Sequence, residues 1–360
     1  MDLGPKQMRT LHARHRQMTA RCCKRSSCGS RTNLVAFERI GACSALGNGV
    51  ALQPSKPVFS DANFPMDGEG RTYHLGTKRG EVANRILSVG STQRAQLLSQ
   101  LLHPPAPGRP LFSHLSSRGF LTLTGRYQGV PVSIVSTHMG MPNMDFVVRE
   151  SRAVVEGHMA IVRLGTCGAV QRLAKLGDLL VASSGSIAVR RNPDAWTQPL
   201  QHAHYCSSLP VPADPLLTSL LVEEAAKQVG SGRVVQGLNA SADSFYSSQG
   251  RLGGDFQDAN EQLLAQLCAA HHDLISLEME TFHLLDLARC SRGGSVKAVG
   301  MCIALAERYS NRLMSYAELE AAELAGGRAA LAALARMPLA ADPSTCPSLA
   351  AASGLACVWQ

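Results

Sequence analysis

From Arg85 onward the chain alternates short apolar runs with stretches whose apolar residues recur every three or four positions, the pattern of buried strands exchanging with amphipathic helices. Residues 86–89 read as a strand, followed by Gly90 and a helix from Ser91 or Thr92 to Leu102 that places Leu97, Leu98, Leu101 and Leu102 on one face. Residues 120–127 and 130–137 flank Gln128-Gly129 and read as a hairpin. Pro142 opens a helix through Glu156, because a first-turn residue has no intrahelical use for its N–H. Further strands are expected at 159–164, 178–183, 234–238, 274–277 and 296–303, with helices at 214–229, 259–270, 279–290 and from Tyr316 to about Arg336. The order implies a single α/β domain, a twisted sheet covered by helices on both faces.

Composition supports this and narrows it. A chain of 360 residues that is 45% hydrophobic and 17% charged buries a large core, which excludes a disordered protein and a disulfide-stapled miniprotein. No run of about eighteen apolar residues occurs. The Ala-rich segment 324–339 is broken by Gly326, Gly327, Arg328 and Arg336, so no membrane span is expected. The net charge of +8 is carried by residues 1–57, where ten Lys/Arg face only Asp2 and Glu38. Residues 58–360 balance 25 basic against 25 acidic side chains, so the folded part has no general attraction for nucleic acid. The leader, 1–57, reads as a solvated basic tail or an organelle transit peptide. The folded domain is expected over 58–336, and 337–360 as a C-terminal tail. Eleven cysteines without a CxxC pair, seven of them among apolar residues past position 160, suit a reducing, cytoplasmic setting. His12, His15, Cys22, Cys23 and Cys28 match no zinc-finger spacing, and no HExxH or GxSxG occurs in residues 58–360.

In sheets of this kind ligands gather at the carboxyl ends of strands. Four such places carry chemistry. Gly90-Ser91-Thr92-Gln93-Arg94 ends a strand on glycine and starts a helix, which favours an anion. Arg163-Leu164-Gly165-Thr166-Cys167-Gly168 puts an arginine near the end of a buried strand, where it requires an anionic partner. His138-Met139-Gly140 follows the hairpin. Glu278-Met279-Glu280 sets carboxylates at a strand-to-helix junction, where they accept from vicinal hydroxyls.

Together with Phe245-Tyr246-Ser247-Ser248-Gln249-Gly250-Arg251, these segments resemble the nucleoside phosphorylase family, on its uridine-cleaving side. The resemblance runs from Tyr73 to about Arg308 and is carried by Arg-Leu-Gly-Thr-Cys-Gly, Phe-Tyr-x-x-Gln-x-Arg and Glu-Met-Glu. It implies a three-layer α/β/α domain around a central mixed, twisted sheet. It also implies phosphorolysis, in which inorganic phosphate attacks the anomeric carbon of a nucleoside without metal or organic cofactor. The phosphate site it implies is Gly90, Arg94, Arg163, Thr166 and, from a neighbouring subunit, Arg118. Met279 and Glu280 would take the ribose hydroxyls, with His74 reaching the 5′ hydroxyl across a dimer interface. Gly168 and Phe245 would lie near the base, and Gln249 and Arg251 at the uracil edge. Of these, Arg94, Arg163 and Arg251 are the catalytic candidates, since the sugar gains positive and the base negative charge at cleavage. Homodimers, or assemblies of dimers, follow from the shared sites.

Purine-cleaving members carry an aspartate after the strand at 296–303, whereas this chain reads Ala304-Leu305-Ala306-Glu307-Arg308. Two further departures stand out. The family's Gly-Asp-Pro-x-Arg loop has lost its Asp and Pro, and its Asn-Arg near the base is Glu307-Arg308. Glu307 either points at the base or belongs to a surface loop. A nucleosidase, a purine or methylthio-nucleoside phosphorylase and a non-catalytic nucleoside-binding relative remain as alternatives.

Overall fold

The computed structural model describes residues 57–104, 106, 108–198, 201–340 and 356–360. Residues 1–56 of the leader, with its basic charge and its His/Cys positions, lie outside the described residues, as does most of 337–360. The strands in chain order are β1 (Phe59–Ser60), β2 (Met66–Asp67), β3 (Arg85–Val89), β4 (Phe112–Leu115), β5 (Leu121–Tyr127), β6 (Val130–Ser136), β7 (Met159–Ala169), β8 (Leu179–Val181), β9 (Ser186–Arg191), β10 (Tyr205–Ser207), β11 (Val234–Gln236), β12 (Leu238–Ala242), β13 (Leu274–Glu278), β14 (Val296–Glu307) and β15 (Arg312–Leu313). The α-helices are α1 (Thr92–Ser99), α2 (Met141–Val154), α3 (Asp194–Thr197), α4 (Pro215–Val229), α5 (Leu263–Ala270), α6 (Thr281–Cys290) and α7 (Tyr316–Arg336).

Local chemistry sets the helix ends. Asp214 accepts from the Leu217 N–H at the start of α4, with Pro215 in the first turn. Ser315 and Glu318 cap α7 reciprocally. The tight turn at Gln128-Gly129 joins β5 to β6 with both residues at positive φ.

The main sheet is mixed and runs β10-β9-β12-β13-β7-β3-β6-β5-β4, with β14, β8, β11 and β15 branching from it. Its pivot is β7. Residues 160–164 of that strand pair parallel with β3, Gly168 and Ala169 pair antiparallel with β13, and β14 runs parallel along the other side throughout. The expected strand at 159–164 therefore continues five residues further, and the one at 296–303 four further. Pairing between these long strands overrides the loop-like composition of Gly165 to Gly168.

Side-chain alternation divides the core into layers. Leu87, Val89, Val162 and Leu164 pack with Leu98, Leu217, Leu221 and Leu331 of α1, α4 and α7. Ile86, Met159 and Ile161 face the other way, onto Met144, Val147, Phe282 and Leu285 of α2 and α6. By the same parity, buried Arg163 points toward the α6 side.

Other expectations shift for identifiable reasons. The strand at 234–238 is two strands, β11 on β8 and β12 between β9 and β13. The helix at 279–290 begins at Thr281, because Glu280 holds a non-helical N-cap conformation and the Glu278 carboxylate takes up the N–H groups of Glu280 and Thr281. The helix at 259–270 begins at Leu263, and α1 ends at Ser99 in turns. The described end of the chain lies against the domain: Arg126 Nε donates to the Trp359 carbonyl at 2.9 Å, and the Val358 N–H to the Gly80 carbonyl at 2.9 Å. Among the described residues, no helix is long and apolar enough to cross a membrane.

Candidate active site

A cavity of about 380 Å³ opens where β7 leaves β3 and has not yet met β13. Past Leu164 one edge of β7 lacks a neighbouring strand, and the Leu164 carbonyl there accepts from Arg163 Nη1 at 3.1 Å and Arg94 Nη1 at 3.2 Å. Both guanidiniums converge on Gly90. A Cβ at that position would lie 3.6 Å from Arg163 Nη2 and 3.6 Å from Arg94 Nη1, so the missing side chain leaves room for a small anion between backbone and arginines.

The acidic pair divides its labour. Glu280, 3% exposed, accepts from Arg163 Nη2 at 2.6 Å and from the Gly140 N–H at 2.5 Å. Glu278 faces the start of α6, where it accepts from the Ser241 hydroxyl, from the Glu280 N–H at 2.9 Å and from the Thr281 N–H at 3.1 Å. It is a carboxylate cap on a helix N-terminus. Burial pulls the Arg163 guanidinium down, but Glu280 and Glu278 outweigh it and hold its pKa above the ordinary value. Glu278 is pushed up to about 7 by burial, with the Glu280 charge adding to the effect.

That shift has a signed consequence. A carboxyl whose pKa is higher folded than unfolded binds its proton more tightly in the native state, so its contribution to stability is lost as pH rises from 4.5 toward about 7. The urea midpoint is expected to be lower at about pH 8 than at about pH 5, with the difference shrinking in Glu278→Gln. Equal pH dependence in the two proteins would remove Glu278 as the source.

The far end of the cavity has a different electrostatic character. Arg251 lies with its guanidinium carbon 3.9 Å from the Phe245 ring centroid, donates Nε to the Phe245 carbonyl at 3.0 Å, and donates Nη2 to Gln249 Oε1 at 3.3 Å. Arg308 donates to the carbonyls of Gln249 and Gly250 at 2.9 and 3.0 Å, and its aliphatic stem lies over Gly168. Burial lowers the pKa of Arg251 and Arg308, and in Arg308 the neighbouring Arg251 lowers it further. Neither has a carboxylate partner among the described residues. Asn260 holds the intervening loop by donating to the Ser247 and Arg251 carbonyls.

Of the residues singled out from sequence, Gly90, Arg94, Arg163, Thr166, Gly168, Phe245, Gln249, Arg251, Met279 and Glu280 line this one cavity. His74 and Arg118 do not. They sit together elsewhere on the surface of the chain, with Tyr73 between them. Arg118 Nη2 donates to the Tyr73 hydroxyl at 2.6 Å, and His74 stacks on Phe146 at 3.7 Å with Nδ1 2.6 Å from Glu150. His138 is structural, its Nε2 lying 2.8 Å from the Gly119 carbonyl.

Glu307 follows neither expectation. It is 5% exposed, yet its carboxylate accepts from the Leu176 N–H at 3.3 Å and the Ser310 hydroxyl at 2.5 Å, and lies 3.8 Å from Arg312. These contacts hold it below the usual carboxylate range, the Ser310 hydroxyl most of all, and it is not among the residues lining the cavity. Sequence reasoning missed the lining residues Leu305 and Leu313 and the partly buried partner Glu323. Apolar residues and a mid-helix glutamate carry no local signal of a site.

The arrangement presents paired guanidiniums and a glycine backbone at one end, a carboxylate in the middle, and an amide with unneutralised guanidiniums at the other. Comparison with known proteins agrees with it. The family model described as "Phosphorylase superfamily" matches residues 84–337. A uridine phosphorylase of Thermococcus kodakarensis is 33% identical over 269 residues, covering 74% of this chain and 88% of that protein. A DeoD-type purine nucleoside phosphorylase of Geobacillus kaustophilus is 34% identical over 113 residues, 31% of this chain and 45% of that protein. A solved structure from a study of two diverse uridine phosphorylases in the oomycete Phytophthora capsici superposes with a TM-score of 0.74 at 44% identity, covering 78% of this chain and all of that one. A cavity that sets two guanidiniums over Gly90 opposite a polar edge, on a fold and sequence that match the family model over residues 84–337 and the Thermococcus and Phytophthora proteins along most of their length, makes this chain a member of the phosphorylase superfamily.

Proposed function

We propose that the protein catalyses phosphorolysis of uridine to uracil and ribose 1-phosphate. The observation that carries this reading is the single cavity joining the Gly90–Arg94–Arg163 anion seat to the Gln249–Arg251 edge through Glu280. Phosphate held beneath the sugar offsets the positive charge that develops at the anomeric carbon. Glu280 accepts from the ribose hydroxyls, while Gln249 and Arg251 match the acceptor–donor–acceptor edge of uracil and take up the negative charge of the departing base. Inorganic phosphate is the co-substrate, and the scheme uses no metal or organic cofactor.

The position of His74 and Arg118 supports a homodimer. Both lie outside their own cavity and share one patch, as residues that complete a partner's phosphate and 5′-hydroxyl sites would. The free cysteines among the described residues support a reducing, cytoplasmic setting, with organelle targeting by residues 1–57 as the alternative. Uracil release from uridine is expected to require phosphate and to exceed hypoxanthine release from inosine, since a purine leaves the Gln249–Arg251 edge unmatched. Release at equal rates without phosphate would identify a nucleosidase instead, preference for inosine a purine phosphorylase, and binding without turnover a non-catalytic relative. Thymidine, run alongside, reports on the space at the base and on the 2′ hydroxyl.

A further inference from the structure

The loop read as the phosphate seat lacks the aspartate of the family pattern, and its arginine meets a carboxylate from the last helix. Ser91 has become the cap of α1, its Oγ accepting the Arg94 N–H at 3.2 Å. The Arg94 guanidinium then finds its counter-charge at the other end of the chain: Nε donates to Glu323 Oε1 of α7 at 2.6 Å, the two side chains being 8% and 13% exposed. With Nη1 on the Leu164 carbonyl at 3.2 Å, Nη2 has no protein acceptor among the described residues. The Nε side of the fork is thus fixed, and the Nη side faces Gly90 and the anion seat.

The contact follows from helix register. Arg94 and Leu98 lie one turn apart on α1, and Glu323 and Gly327 one turn apart on α7. A Cβ at Gly327 would come within 2.3 Å of Leu98 Cδ2, and one at Gly326 within 3.0 Å of Leu164 Cδ1. The two glycines let α7 lie flush on α1 and β7, and that close approach carries Glu323 to Arg94 one turn away.

We infer that Glu323 is a positioning residue for phosphate, acting through Arg94, and that the last helix is thereby part of the active site. The inference rests on the phosphorolysis reading for the identity of the oxyanion. Phosphate titrations at saturating uridine and uridine titrations at saturating phosphate, on the full chain, test it. Glu323→Ala is expected to raise the phosphate KM roughly tenfold while the uridine KM stays within about twofold, as misplacing one binding group would do. Glu323→Gln keeps an acceptor at the same reach and is expected to return to within about threefold of wild type, whereas Glu323→Asp, too short to reach, behaves like alanine.

Thermal shift gives a readout that needs no turnover. Saturating phosphate should raise the wild-type Tm, and the same concentration should have little effect on Glu323→Ala. Should the alanine variant fail to fold, the Asp and Gln variants carry the comparison. A phosphate KM in Glu323→Ala or Glu323→Asp that is unchanged or lower overturns the inference, because a carboxylate that merely repelled phosphate would behave that way. Phosphate and uridine KM rising together also overturns it, as general loosening. If wild type binds phosphate but does not cleave uridine, the functional reading falls while the thermal comparison still decides the role of Glu323. Absence of any phosphate shift in wild type sinks both.

Discussion

Replacing Arg251 with alanine is expected to lower kcat/KM for uridine by about a thousandfold, mainly through kcat, with the fold intact. The guanidinium acts where charge appears during cleavage, so its loss weighs on the transition state more than on the bound ground state. Its native contacts are two neutral oxygens and an aromatic face, and no carboxylate is orphaned by removing it. The structural penalty should therefore stay near about 1 kcal/mol. Steady-state rates alongside urea unfolding separate the two effects. Near-normal turnover would remove Arg251 from the base end.

Arg163→Ala should be costly in both respects. Phosphate loses one of its two intrachain guanidiniums, a loss of at least about two to three orders of magnitude in rate. Glu280 is meanwhile left uncompensated, with both partners only 4% exposed on their side chains. Breaking a buried pair from one side destabilises by about 3–5 kcal/mol, most of it the stranded charge. The double variant Arg163→Met, Glu280→Gln should therefore recover much of the stability and none of the activity. A double variant no more stable than Arg163→Ala would show that the carboxylate is not what makes the single change expensive.

Much of this was legible in the sequence because strand ends, glycines and stranded charges are local signals. Arg163 in an apolar run demanded an anionic partner, and Glu280, 117 positions away, is that partner. The anion seat showed the same local signals, whereas the polar edge at Gln249 and Arg251 was named through the family resemblance; ten of the twelve residues converge on one cavity. What could not be read depends on tertiary pairing. The extensions of β7 and β14 come from each other, since nothing in Gly165-Thr166-Cys167-Gly168 alone favours a strand. The short strands β9 and β10 are supported by neighbours distant in sequence. Glu307 resisted both expectations because its partners, the Leu176 N–H and Ser310, satisfy a buried carboxylate away from the cavity. Glu323 gave no sign at all, being one of several glutamates along α7 and distinguished only by the helix contact at Gly327.

The two ends of the cavity differ in how they are built. The oxyanion end borrows its rigidity from strands parting within a sheet, where the freed Leu164 carbonyl aligns two arginines at once. The base end is an excursion between β12 and α5, clasped by Asn260 and Arg308 through backbone carbonyls rather than through side-chain identity. Such an enzyme can exchange one half of its chemistry without disturbing the other. On the proposed reading, residues 245–251 would serve as a replaceable reading head, so that leaving-group preference could drift in evolution or be redesigned in the laboratory while the attacking nucleophile stays seated as before.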